Sequence, residues 1–400
     1  MKHTSTVPAW LSVAAVAVTA IVLRPAATAV GPVLAELSTD LGMSASLAGI
    51  LTALPGFVFA LAGMTANRVV AYMSPVSALA VACGTIAFGS ILRALTGSWS
   101  LFLLYSLFAL AGMAIGNVLV PAFIKTSFPT ASAKVATLYT TALAIGATLP
   151  TLLAAPLSQL GGWRLSVGIW SLFAAIAAVL WLLAWKYFRP QSSAHITSER
   201  FRVRSLLRSS TAVALMLFFG LQSMQAYVQF GWLAEIYRSG GLSAGNASIM
   251  LAIISAGGIP GGIIMPAVVA RKKWLPASIV LFSTLLATGY AGLALMPTTF
   301  PWLWAIFLAI SGFCFPTALA LIIERTRNPR VTSAVSGFVQ PYGYLLAAAG
   351  PLLVGVFYEA IGAWPPILWS LAACAIPMCI AGLMAARPQI IDDNLSIVGP

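Results

Sequence analysis

The chain has 400 residues, of which 60% are hydrophobic and 7% charged, with a formal net charge of +13, and its mean hydropathy is +0.98. Soluble domains carry about a quarter charged residues, so this composition excludes a soluble enzyme or binding module and marks an integral membrane protein. Outer-membrane barrels alternate polar and apolar residues one by one, which this chain does not do, and helical spans remain.

At about 30 residues per span with its connection, the length accommodates roughly a dozen helices. The first is predicted over 8–36 and contains Leu23-Arg24-Pro25. At 1.5 Å per residue, Arg24 lies roughly 24 Å from the start of this segment and roughly 17 Å from its end, near the midplane. A cation at that depth costs at least about 2.5 kcal/mol and ordinarily faces a protein interior or a water-filled cavity. Lys2 followed by an apolar run looks superficially like a signal peptide, but the run is broken by Arg24-Pro25 and then resumes, so an uncleaved first helix is expected.

Further spans are predicted over 44–67, 75–95, 99–126, 132–157 and 164–187. The fourth carries Asn117 and Pro121, and the fifth carries Tyr139 followed at helical intervals by Leu143, Gly146 and Pro150. A polar, basic stretch at 191–209 then separates residues 1–190 from 210–400. The second six spans are predicted over 210–237, 245–270, 275–296, 301–324, 331–358 and 364–386. In the seventh, Gln222, Gln225 and Gln229 fall on one helical face, with Tyr227 off it. Amides in hydrocarbon need partners, so that face is expected to line a cavity, with hydrogen bonding between helices as the alternative. The eleventh repeats the pattern with Ser333, Ser336, Gln340 and Tyr344, while the eighth carries the glycine-rich run Gly257 to Gly262, read as packing or as a bend. The halves resemble each other at an offset of about 200 residues, Pro129 corresponding to Pro329.

Where the charges fall decides what the basic balance means. With both termini inside, seventeen Lys and Arg lie in cytoplasmic segments and three, Arg93, Arg164 and Arg238, at outer ends. That asymmetry is the positive-inside rule, and attraction to anionic lipid accounts for it without nucleic acid. It leaves Arg24 as the basic residue expected deep in a span. Glu36, Asp40, Glu235 and Glu359 fall near outer ends, Glu324 near an inner end, and none at the midplane. The four cysteines sit in apolar runs and both histidines, His3 and His195, in polar segments, so no metal site, cofactor or disulfide framework is expected. Nor is there a convergent nucleophile and base that would make this an enzyme.

The motifs resemble those of the cyanate and 2-nitroimidazole transporter family within the major facilitator superfamily. The resemblance rests on Leu23-Arg24-Pro25 with Val30-Gly31-Pro32-Val33-Leu34, Leu51-Thr52-Ala53-Leu54-Pro55, Gly116-Asn117-Val118-Leu119-Val120-Pro121 with Ile124-Lys125, Gly161-Gly162-Trp163-Arg164, and Gly220-Leu221-Gln222-Ser223 with Trp232-Leu233. It implies an all-α membrane protein with twelve transmembrane helices in two six-helix pseudo-symmetric halves, working by alternating access. The superfamily's loop signature after the second helix is degraded, with Asn67 in place of its acid before Arg68. The antiporter signature of the fifth helix is not met by Gly146-Ala147-Thr148-Leu149-Pro150, which weakens a drug-export reading.

The expected function is therefore secondary transport of a small anionic or strongly dipolar organic solute across a bacterial inner membrane, by a monomer with cytoplasmic termini. A multidrug or metabolite efflux transporter is the alternative. Arg24 is expected to supply charge, Asn117, Gln222, Gln225, Gln229 and Gln340 to orient the solute, and Tyr139, Tyr227 and Tyr344 to wall it.

Overall fold

The computed structural model describes residues 8–128, 130–187 and 203–394, with backbone alone at 63–72, 133, 203–204, 329–330 and 394. Pro129, both histidines, the 191–202 part of the expected linker and the Asn67-Arg68 side chains lie outside the described residues. Among the described residues every regular element is helical. Eleven helical stretches are long and apolar enough to cross a membrane. The fifth, Lys134–Trp185, has 52 residues, about 78 Å of helix against a hydrocarbon core of about 30 Å. Non-helical angles interrupt it at Gly161 and Gly162, whose φ of +69° belongs to the left-handed region that glycine reaches without strain. That stretch is long enough for two crossings, which makes twelve among the described residues.

Several spans are assembled from pieces. The first comprises Ala9–Val22, Pro25–Thr28, a 3-10 turn at Gly31–Val33 and Leu34–Leu41. The tenth divides into Pro301–Ser311 and Cys314–Glu324, and the twelfth into Trp364–Ala373 and Ala375–Ala385. Many large apolar side chains point outward, among them Leu160 and Ile263. In a membrane protein that exposure is the lipid-facing surface.

The residues group into two compact units, one of 1–43 and 61–196 and the other of 44–60 and 197–400. Inside the first, spans three and four approach closely at small residues, a Cβ at Gly89 lying 2.5 Å from the Ala109 nitrogen. The Trp181 indole donates to Thr19 Oγ1 at 2.7 Å, so a buried polar pair ties the sixth span to the first. Inside the second unit, residues 44–60 pack on the eleventh span through Gly49 and Gly355, and Gly231 of the seventh span meets Thr52. The Glu359 carboxylate accepts the Ser46 N–H at 2.7 Å, capping the start of the second span from another helix.

One end of the second unit is held by the tail. Ile391 is buried, and its N–H donates to the Arg325 carbonyl at 2.9 Å. Asp392 accepts the N–H groups of Arg327 and Asn328, satisfying donors just ahead of the helix Pro329–Ile361. Arg325 is also buried, and it donates from Nε to Ala385 O and from Nη2 to Ala386 O. That burial pulls its guanidinium below the usual arginine range.

Candidate functional site

In the first unit the chemistry gathers at the break in the first span. Pro25 has no N–H, so the helix cannot donate to the carbonyl four residues back, at Ile21, and the backbone leaves helical geometry at Arg24 with φ −125°. Three neighbours take up the loosened segment. Gly146 of the fifth span lies so close to the Ile21 carbonyl that a Cβ there would collide with it. Gly116 of the fourth span seats Leu23, a Cβ there falling 2.5 Å from Leu23 Cδ2. Arg93 Nη1 of the third span donates to the Ala26 carbonyl at 2.8 Å.

Arg24 itself is half-buried, and among the described residues its guanidinium has no hydrogen bond or ion pair. Its carbonyl is occupied by the N–H groups of Ala27 and Thr28 and by the Thr28 hydroxyl. Asn117 directly follows the Gly116 contact, as Arg24 follows Leu23, and its Nδ2 donates to Met113 O at 2.8 Å. Tyr139 is buried and partnered.

The structure places the other six expected residues in the second unit. Gln222, Gln225 and Gln229 are all buried. Gln225 Nε2 lies 3.5 Å from Leu371 O and Gln229 Nε2 3.3 Å from the Tyr290 hydroxyl, so two of the three amides reach neighbouring helices. The Oε1 atoms of Gln222 and Gln225 are buried without a partner among the described residues. Gln340 donates to Ser336 Oγ at 2.7 Å within its own helix. Tyr227 and Tyr344 come together as stacked rings, centroids 6.2 Å apart. Phe59 at 5.4 Å and Phe219 at 5.1 Å complete the surround of Tyr344, and Phe315 packs on Phe219.

Sequence reasoning missed Arg93, Phe59, Phe219 and Phe315. An arginine in the last turn of a span ordinarily reaches the interface, and nothing local distinguishes one that turns inward. The phenylalanines are indistinguishable by type from lipid-facing ones. Arg93 is, in fact, the most deeply buried basic residue described in the first unit, with no exposed surface. A groove of about 520 Å³ between Met73, Ser77, Leu182 and Trp185 contains none of the expected site residues.

Comparison with known proteins adds the lineage. The profile of the Major Facilitator Superfamily matches residues 16–351. The 2-nitroimidazole transporter of Escherichia coli K12 is 31% identical over 385 residues, 95% of this chain and 96% of that protein. The cyanate transport protein CynX of the same organism is 29% identical over 364 residues, 90% and 92% of the two chains. A crystal structure of a bacterial homologue of the human lysosomal transporter Spinster, inward-facing and occupied, superposes with a TM-score of 0.77 at 16% identity, covering 96% of this chain and 98% of the other. At that identity the likeness is one of fold.

Proposed function

Since the chain belongs to the major facilitator superfamily and is a multi-pass membrane transporter of a small solute, we propose that its cargo is a small anionic or strongly dipolar organic molecule held in part by Arg24. The observation that carries this reading is a contrast among arginines. Arg93 and Arg325, both fully buried, donate to backbone carbonyls. Arg24 is held at its backbone from both sides and donates to no described group. A guanidinium removed from bulk water attracts an anion or the negative end of a dipole more strongly than one in water, because screening is weaker. Its planar fork suits a carboxylate or nitro group.

The relatives' names fit that chemistry, cyanate being an anion and 2-nitroimidazole a dipolar heterocycle. Transport proceeds by alternating access in a bacterial inner membrane, with both termini cytoplasmic as the charge asymmetry indicates. Uptake of labelled cyanate and 2-nitroimidazole into proteoliposomes tests this. Arg24→Ala lowers uptake by about a hundredfold, the scale of a lost charged hydrogen bond, while its elution on size exclusion stays that of the wild type. Arg24→Lys is also impaired, because an ammonium lacks the fork. Normal uptake by Arg24→Ala defeats the proposal.

The ring cluster of Phe59, Phe219, Tyr227 and Tyr344 favours a second reading, a multidrug or metabolite exporter. Under it, inverted vesicles carrying Arg24→Ala still accumulate bulky aromatic compounds.

A further inference from the structure

A fully buried arginine is an expensive way to fill space. An apolar side chain of similar volume ordinarily serves the core as well or better, so Arg93 performs a task an apolar residue cannot. Its surroundings identify the task. The helix Pro25–Thr28 is too short for the Ala26 carbonyl to receive the usual N–H four residues ahead, and among the described residues no backbone N–H reaches it. Arg93 Nη1 occupies that place at 2.8 Å. The rest of the guanidinium is committed to nothing else: Nε and Nη2 have no partner among the described residues. Its charge is compensated by the carboxyl end of its own helix, Pro75–Leu95, and by the Phe102 ring, 6.0 Å from its central carbon.

The sequence of contacts along the break then acquires a meaning. Gly146 and Gly116 hold Ile21 and Leu23, ahead of Arg24. Arg93 holds Ala26, behind it. We propose that Arg93 is a positioning residue, whose hydrogen bond to the Ala26 carbonyl fixes the turn that follows Arg24 and so aims the Arg24 guanidinium at the cargo. The inference rests on Arg24 being the cargo ligand. Arg93 touches no cargo; it sets how much of the binding energy is already spent on orientation before the cargo arrives.

The experiment compares Arg93→Met, Arg93→Gln and Arg93→Lys in full-length protein. Concentration-dependent uptake of 2-nitroimidazole and cyanate into proteoliposomes is read alongside hydrogen exchange of the peptide covering residues 24–33. Loss of one charged hydrogen bond corresponds to about a 10- to 100-fold rise in the half-saturating concentration. Arg93→Met shows that rise with the maximal rate changed by less than about threefold, and the 24–33 amides exchange faster. Arg93→Lys, which restores a donor, recovers most of the affinity. Thr19→Val is the structural control: it removes another buried hydrogen bond of the first span, from Trp181, and lowers melting temperature without moving the half-saturating concentration.

Wild-type exchange over 24–33 in Arg93→Met overturns the proposal, and so does an unchanged half-saturating concentration or a loss confined to the maximal rate. If Arg93→Met does not fold, Arg93→Gln, whose arm is too short to reach Ala26, is held to the same two readings. Normal transport by Arg24→Ala sinks the cargo reading by itself, while the exchange of 24–33 still decides whether Arg93 holds the turn.

Discussion

A single methyl group added at Gly146 would collide with the Ile21 carbonyl, a backbone atom that has nowhere to retreat. At Gly116 the same methyl would meet Leu23 Cδ2 at 2.5 Å, the tip of a flexible side chain. The two substitutions therefore separate. Gly146→Ala destabilises by about 1–3 kcal/mol, the range of overpacked cores, whereas Gly116→Ala costs less than half as much; thermal unfolding of the detergent-purified variants gives the comparison. Arg24 was legible in the sequence because a cation amid an apolar run contradicts its surroundings. Arg93 was not, since its position near a span end fits the snorkelling habit of arginine and its burial is decided by the distant Ala26 carbonyl. The glutamine stripe shows the same limit: spacing put three amides on one face, but only tertiary packing could give Gln229 to Tyr290 and Gln225 to Leu371.

Caps and breaks govern the behaviour of whole helices. The second span starts with a cap supplied from the eleventh, Glu359 accepting the Ser46 N–H. Replacing Glu359 with Gln keeps the shape and removes the negative charge facing a helix N-terminus. Faster hydrogen exchange of Ser46 and Leu47, with the rest of the chain unaffected, is the expected signature. The glycine run of the eighth span was read from sequence as packing alone or as packing that also bends during transport; in this structure the helix Ala244–Arg271 runs through it unbroken. Gly257 and Gly261 abut Ala309 and Phe313, while Gly258 and Gly262 have nothing within 4 Å of a Cβ. Gly258→Ala is thus neutral or stabilising by up to about 1 kcal/mol, and Gly257→Ala is destabilising, as denaturation of the two variants will show. The ends of most spans followed from composition alone, because the hydrocarbon thickness fixes the length of an apolar run. The divisions at Gly312 and Cys374 have a local cause of the same kind as the break at Arg24: Pro316 and Pro377 lack the N–H that would reach the carbonyls of Gly312 and Ala373 one turn back.

At the scale of the whole chain, the all-helical, many-span architecture followed from hydropathy, a property that sums over many residues and tolerates local error. Individual contacts carry no such average. The tail illustrates this: Asp392 caps the approach to the eleventh span and Asp393 pairs with Arg327 at 2.9 Å, contacts that no local pattern announces. Asp392→Ala should lower the melting temperature by about one degree, the loss of such a cap being worth about 1 kcal/mol against an unfolding entropy that grows with chain length, without altering cargo affinity. The clamp around Arg24 has a further consequence, for descent. It joins positions 21, 26, 93 and 146 into one mechanical dependency. A lineage that abandoned the Arg24-Pro25 break would restore the helix at Ala26 and release position 93 from arginine and position 146 from glycine, so these columns should drift together when relatives are aligned, however far apart they stand in the chain.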